Sequence, residues 1–559
     1  MQNKTSITGK KWQLLSEKFS KNFENFSDFF LYSRKISDKE KFFNGKYPED
    51  LRDGKNLKDI EKGVKRVVFA IEKQERIIIF GDYDCDGIPG TTMLFDALKN
   101  LGAQVSYRIP NREKDGYGLK NYFFDEFKEK NVKLVITVDN GISSINEAEY
   151  AKKLGIDLII TDHHEVQNGE IPKCIAVINP QRPDCNYGFG GICGAVVAWK
   201  FAIEIGKKIK GEEWANKNIR DKHIELAGLS TVADIMPLVD ENRIIVKEAL
   251  EKIKNTKNPG IQAILKEMKF KPELDLDSSF FGFKLGPRIN ATGRMHEGIF
   301  GVQLLLGKTE FAPFIEKLNT ERKKIVSGIL KKVSEDLTKK AESEGKINEL
   351  IILHNSNWKS GIIGLIAGKI TENLNLPSIV LQDKGDFLVA SCRAPEGFNI
   401  FELLSNFKDL FEHFGGHEQA CGFSIKKENF EKFEKKAKIL GKEFLKKSPL
   451  ENFLIADFEL SEKFLNLNFL DEIKKLEPFG KGNESPKFLI KNILPEYFLV
   501  GKEKNHMQLK FFGNRAIFFQ GGKFFEKLNG KKCDIIFTLA ENFFNGKRQL
   551  NIMIEDISI

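Results

Sequence analysis

RIIIFGDYDCDG, residues 76–87, runs three isoleucines and a phenylalanine into Gly81 and then sets a carboxylate at every second position: Asp82, Asp84 and Asp86. A short apolar run without polar alternation reads as a strand buried on both faces, the habit of parallel sheets. QVSYRI (104–109), KLVITV (133–138) and DLIIT (157–161) have the same character. Between them lie the amphipathic stretches TTMLFDALKNL and SINEAEYAKKLG. From about residue 76 to 180 this alternation predicts a doubly wound α/β sheet.

The carboxylates recur at one topological place. The third strand runs into Asp139-Asn140-Gly141 and the fourth into Asp162-His163-His164. The helical stretch LAGLSTVADIMPL (226–238) adds Asp234. Residues just past the carboxyl ends of parallel strands line the crevice of an open α/β sheet. Each cluster alone has a blander reading: a lone DxD is often a turn or helix cap, and Asp-Asn-Gly is a turn signal. Together, this many carboxylates repel and desolvate one another at a cost of several kcal/mol unless cations sit among them. Oxygen ligands with one or two imidazoles suit Mn²⁺ or Mg²⁺, the histidines favouring Mn²⁺. Two such ions roughly 4 Å apart activate water and stabilise the leaving oxygen of a phosphoester. Cys85, pointing opposite to its neighbours in an extended loop, reads as packing.

The rest of the chain sets limits. At 559 residues it is too long for one core, and its surplus of 88 − 79 = +9 charges permits a polyanionic partner without demanding one. Seven cysteines without a CxxC pair point to reduced thiols in a cytoplasmic protein. The first residues, MQNKTSITGKKWQLL, contain no apolar core of a signal peptide, and the longest apolar stretch is too short for a bilayer, so no membrane role is expected. Residues 1–73 read as a mostly helical segment, 74–305 as the sheet domain, and 306–347 as a long connecting helix with apolar residues at Phe314, Leu318, Ile325, Ile329, Val333 and Leu337. A second α/β unit follows over 348–447, with ELIILHN and SIVLQ as strands and SGIIGLIAGKITENL as a helix. Over 448–559, FLIKNI, HMQLKFF, RAIFFQG, CDIIFTLA and RQLNIMIEDI read as five short strands of a small β-barrel, the OB-fold being one candidate.

These motifs resemble the DHH phosphoesterase superfamily, named for Asp162-His163-His164, and within it the RecJ exonucleases. GDYDCDG, IPNREKDGYGL (109–119), TVDNGIS, TDHH, STVADIMPLVDENR (230–243) and GPRINATGRM (286–295) stand in the order of that family. WKSGIIG (358–364) and GGHEQACGF (415–423) are similar to its DHH-associated domain, and LEPFGKGNESP (476–486) to the entry of its OB domain. The resemblance implies 5′→3′ hydrolysis of single-stranded DNA by a two-metal mechanism in repair and recombination. A single strand with a 5′ end is the implied partner, alongside a helicase and a single-strand-binding protein. Carried over, the metal ligands are Asp82, Asp84, Asp86, Asp139, His163, His164 and Asp234, with Asp139 as the bridge and Asp84, Asp139, His163 and His164 as the catalytic set. Asp162 orients a histidine by a hydrogen bond. Arg112, Ser391 and Arg393 are assigned to a terminal 5′-phosphate, and Tyr117, Arg288, Asn290, Arg294 and His417 to the strand, arginine forks matching phosphate oxygens.

Two departures stand out. Phe80 occupies a position where many DHH proteins have histidine, which bears on one metal position, and Lys359 replaces a histidine before Gly361. In the barrel, Phe511, Phe512, Phe518 and Phe519 alternate poorly with polar residues and read mostly as core, while Lys502, Lys504, Lys547 and Arg548 flank its turns and could track a backbone, strand binding there resting mainly on the resemblance. Competing readings are a DHH phosphoesterase for short oligonucleotides, dinucleotides or polyphosphate, and a non-catalytic RecJ-related nucleic-acid-binding scaffold.

Overall fold

A computed structural model of the chain describes residues 6–16, 26–271, 276–344, 349–447, 450, 452–544 and 547–559. The chain folds as two units. One comprises Tyr47–Pro237 and Glu241–Leu450; the other comprises Met1–Lys46, Leu238–Asp240 and Glu451–Ile559.

In the first unit the isoleucine runs form the expected parallel sheet. Its strands are β1 (Arg76–Gly81), β2 (Gln104–Arg108), β3 (Val132–Val138), β4 (Asp157–Thr161) and a fifth not expected from sequence, β5 (Ala176–Ile178). The order β2-β1-β3-β4-β5 is parallel throughout. The strand order reverses between β1 and β3, so the crevice of this sheet opens beyond the carboxyl ends of those two strands. Phe80, Phe123, Phe124 and Phe127 pack with Val135 and Ile160 into the core. Helices α1 (Gly87–Asn100), α2 (Gly194–Lys210) and α3 (Asp221–Ala233) are largely buried.

Further on, α4 (Gly286–Met295) precedes the long α5 (Ala312–Glu344). The connecting helix thus begins six residues later than the expected boundary, and its expected end falls among residues 345–348, outside those described. It is not wholly solvated: Val326, Ile329, Leu330, Val333 and Leu337 pack against the core of a second sheet. That sheet has five strands where sequence suggested two: β6 (Ile351–His354), β7 (Ser378–Lys384), β8 (Phe387–Arg393), β9 (Phe411–His417) and β10 (Ala420–Lys426), in the order β9-β10-β8-β7-β6. Only β6 and β7 run parallel. The missed strands alternate small, cysteine and glycine residues, a weak strand signal. Helix α6 (Ser360–Leu374) follows β6.

The segment 1–73 is a correction. Its last helix, Ile60–Glu72, buries Val64, Val67 and Ala70 in the first unit, but residues 1–46 belong to the other unit and include a strand. Lys11–Leu14 pairs in parallel with Phe453–Ala456, and Trp12 Nε1 donates to Asp556 at 3.0 Å. A strand whose partner lies over 400 residues away leaves no local pattern to read. In the same unit the five expected strands are present in a seven-stranded sheet that also includes Phe458–Glu459 and Glu496–Val500. Phe511 and Phe518 are core, whereas Phe512 and Phe519 are exposed. Arg548 is taken up by Asp471 and Glu541 rather than left for a phosphate chain. The side chain of Lys547 lies outside those described. Among the described residues no helix is long and apolar enough to cross a membrane.

Candidate metal centre

β1 delivers its acidic loop to the switch point. Asp84 Oδ1 accepts from the amides of Asp86 (2.9 Å) and Gly87 (3.1 Å), which folds the loop so that the three carboxylates are displayed on a tight turn. Beside it, Asp139 follows β3 in the left-handed region (φ 63°), held by its amide's bond to Thr161 O. A non-glycine residue in that conformation is uncommon and belongs with constrained, functional backbone. The start of α2 presses on the same spot: a Cβ at Gly194 would lie 2.6 Å from Asp139 Cβ and 2.7 Å from its Oδ1. Only glycine permits this approach. Asp86 accepts from Gly194 N (2.7 Å) and Ala195 N (2.9 Å), capping α2.

All seven expected ligands come together. In each of three groups the ligand atoms lie within 4.8 Å of one another: Asp82, Asp84 and Asp139; Asp139, His163 and His164; Asp86, His163 and Asp234. Asp139 and His163 each belong to two groups, so the three are contiguous. His163 Nε2 is 3.2 Å from Asp139, 3.4 Å from Asp234 and 3.7 Å from Asp86. Burial holds the His163 imidazole below its usual pKa, hence neutral, so these approaches are converging ligands rather than ion pairs. Burial, followed by the neighbouring carboxylates, pushes Asp82 and Asp139 well above the usual carboxylate range. Asp82 Oδ1, Asp139 Oδ1 and His163 Nε2 are buried and accept or donate no hydrogen bond. Buried, mutually repelling oxygens with unspent lone pairs around a neutral imidazole fit divalent cations.

The supporting contacts explain the orientations. Asp162 Oδ1 accepts from His163 N (2.7 Å), His164 N (3.2 Å) and His164 Nδ1 (2.7 Å), while Oδ2 accepts from Ile142 N (2.9 Å). Burial opposes the charge on His164, but the bond to Asp162 outweighs it and raises this imidazole to about 9. Asn290 Oδ1 accepts from Cys85 N at 3.0 Å, making it a brace for the acidic loop rather than a strand contact. Cys85 is buried 3.7 Å from the Cβ position of Gly286. Phe80 packs edge-on against Phe123 in the core and lends nothing to the cluster.

A basic side adjoins the acidic one. The Arg112 guanidinium lies 4.0 Å over the Tyr83 ring, with Nε buried and unpaired. Arg294 donates to Gly361 O at the first turn of α6 (3.2 Å), and a Cβ at Gly361 would strike Arg294 O at 2.0 Å. Burial, then Arg112, lowers the Arg294 guanidinium to about 10. Near the same helix start, Arg393 Nη1 donates to Ser391 Oγ at 3.2 Å, and both flank Gly364. Tyr117 is 45% exposed, its hydroxyl 3.4 Å from Asp139 O and its ring 6.2 Å from His164. Arg288 departs from expectation: its fork is filled by Glu316 (2.5 and 3.0 Å) and Lys284 O (2.6 Å), a structural role. His417 ends β9 on the exposed hairpin, outside the metal groups. Lys359 is exposed just before α6.

Sequence reasoning missed Asn319 and Arg322 on α5. Arg322 Nη2 donates to Asn319 Oδ1 at 2.9 Å, while Arg322 Nε and Asn319 Nδ2 are buried without partners. Ser360 Oγ is a third buried polar group left unpaired. Burial, then Arg288, lowers the Arg322 guanidinium, and Arg322 in turn acts on Arg294. The only signal was an Asn-x-x-Arg pair, at helical spacing, in a lysine- and glutamate-rich helix.

Three family descriptions match in chain order: the DHH family, N-terminal domain, over residues 76–231; the DHHA1 domain over 347–442; and the RecJ OB domain over 456–556. The chain is 32% identical over 524 residues to the single-stranded-DNA-specific exonuclease RecJ of Bacillus subtilis (strain 168), covering 91% of this chain and 64% of that one. It therefore spans just under two thirds of that relative's length. Against the single-stranded-DNA-specific exonuclease RecJ of Escherichia coli (strain K12) it is 31% identical over 523 residues, covering 90% of each. The crystal structure of RecJ in complex with Mn²⁺ from Thermus thermophilus shares the fold, with a TM-score of 0.79 at 24% identity over 95% of this chain and 75% of that one. On this sequence similarity the chain belongs to the RecJ family.

Proposed function

We propose that this protein is a single-stranded-DNA-specific 5′→3′ exonuclease that holds two divalent ions, Mn²⁺ or Mg²⁺. The observation that carries the reading is the meeting of seven acidic and imidazole groups around Asp139, in the same unit as buried, unpaired arginine donors. Asp82, Asp84 and Asp139 would hold one ion and Asp86, His163 and Asp234 the other, with Asp139 and His164 beside both groups. When bound, the ions supply Lewis acidity toward water and the phosphoryl oxygens. The protein's own groups do the rest. Asp162 fixes the ring of His164, and Asp86 ties the acidic loop to α2. Arg112, Ser391 and Arg393 take the terminal 5′-phosphate, and Arg294, Arg322 and Asn319 extend this basic surface along the strand. Tyr117 stacks on a base near Asp139, and His417 contacts the strand from the β9–β10 hairpin.

Domains over 74–305, 348–447 and 448–559, with the connecting helix beginning at Ala312, are part of this proposal. In the last of these, exposed Phe498, Phe512 and Phe519, with Lys510 5.9 Å from the Phe498 ring, offer stacking surfaces for bases. The test uses purified protein, Mn²⁺ and long strands labelled at either end, with and without a 5′-phosphate. Mononucleotide release from the 5′ end of single strands is expected. Release from the 3′ end, or preference for a dinucleotide over the long strand, contradicts the proposal.

A further inference from the structure

Ile235 is the residue immediately after Asp234, whose carboxylate is 3.4 Å from His163 Nε2. It closes α3: Ile235 N bonds to Val232 O (3.1 Å) and Met236 N to Thr231 O (3.0 Å), the paired bonds of a Schellman turn. That turn places Ile235 at φ 56°, the left-handed position that helix ends normally give to glycine or asparagine. A β-branched side chain there is a true outlier. Nor does burial compensate, since Ile235 is 66% exposed. Only Phe283, at 78%, is more exposed among the large apolar side chains described. The segment before Phe283 meets the last turn of α3: a Cβ at Gly282 would touch Val232 Cγ1 at 3.5 Å. Neither backbone conformation nor packing favours isoleucine at this position, so the folded state alone does not account for it.

We propose that Ile235 is a substrate-contacting residue, its stiff apolar side chain packing against a nucleobase of the strand that lies across the metal centre. A β-branched side chain has little rotamer freedom to lose on contact, and the apolar face of a base is what it can cover. A phosphate would call for a charged group instead. The inference rests on the nuclease reading above.

The experiment compares the wild type with I235G and I235N, both of which suit the left-handed turn. I235G is expected to melt at a higher temperature than the wild type. For both variants KM on single-stranded DNA is expected to rise about five- to tenfold with kcat within about twofold, the size of one lost base contact. On a strand made abasic over its first nucleotides, wild type and variants should have the same KM. An unchanged KM on normal DNA overturns the inference, as does an equal KM rise on the abasic strand, which would mark a backbone effect on Asp234. A lower melting temperature for I235G overturns the strain argument. Failure of the nuclease reading is distinct: the wild type would then release no nucleotide in Mn²⁺, and the variants are compared by fluorescence anisotropy of the bound strand, equal affinities counting against Ile235.

Discussion

Replacing Asp162 with asparagine leaves one carbonyl oxygen to do the work of two carboxylate oxygens that now satisfy four donors. If the carbonyl takes the Oδ1 place, it still meets His163 N, His164 N and His164 Nδ1, but the new amide group faces Ile142 N, donor against donor. The opposite rotamer strands three donors and is worse. One orphaned buried amide costs about 1–3 kcal/mol, and the remaining bonds lose the charge that roughly doubles their strength, so the total is about 2–4 kcal/mol. The fold should survive, because Asp162 holds a loop rather than filling the core. With His164 released, metal affinity or turnover should fall about 10- to 100-fold, the usual cost of removing a group that orients a ligand. Urea unfolding of the metal-free protein measures the first quantity, and Mn²⁺ titration with strand hydrolysis measures the second. If D162N unfolds at the wild-type urea midpoint and turns over normally, the orienting role assigned to Asp162 is wrong.

Other outcomes follow from the same geometry. G194A should drive a methyl into Asp139 and lower Mn²⁺ affinity at least about tenfold, read by calorimetry, since the neighbouring atoms are a candidate ligand's side chain and its backbone. R393A should raise KM on 5′-phosphorylated strands about 10- to 100-fold and erase their advantage over 5′-hydroxyl strands, measured by initial rates. Away from the centre, burial opposes the charge of Asp96, but His223 at 2.9 Å and Lys222 at 2.6 Å outweigh it and hold the carboxyl at about 2, against 3.8 ordinarily. Its ionised form therefore stabilises the fold by about 2 kcal/mol above pH 4, solvent screening of this half-buried group keeping the figure down, and the contribution is lost as pH falls from about 4 to 2. The stability gap between wild type and D96N, followed by denaturation across that range, should close toward low pH.

What the sequence made legible was whatever is local. The β-branched runs announced the parallel sheet because strands buried on both faces must be apolar throughout, and the acids that end those runs mark the crevice directly. All seven candidate ligands could be read this way because each sits at a strand or helix terminus. The alternating strands of the second sheet, with residues such as Ser391, Cys392 and Gly422, lacked that density. The strand at Lys11–Leu14 is defined by its partner, not by itself. For the arginines, side-chain chemistry is legible but neighbours are not: Arg288 meets Glu316 and is spent, while Arg322, on a helix rich in lysine and glutamate, has a buried and unpaired Nε. Phe80, read as a departure at a ligand position, faces Phe123 instead.

The central claim is that Asp139 is shared between two cations. Anomalous scattering at the manganese edge, from crystals grown with Mn²⁺, tests it most directly. Two peaks that both neighbour Asp139, one also beside Asp82 and the other beside Asp234, are the expected result, with both lost in D139N. A single peak away from Asp139, or none among these side chains, would contradict the account.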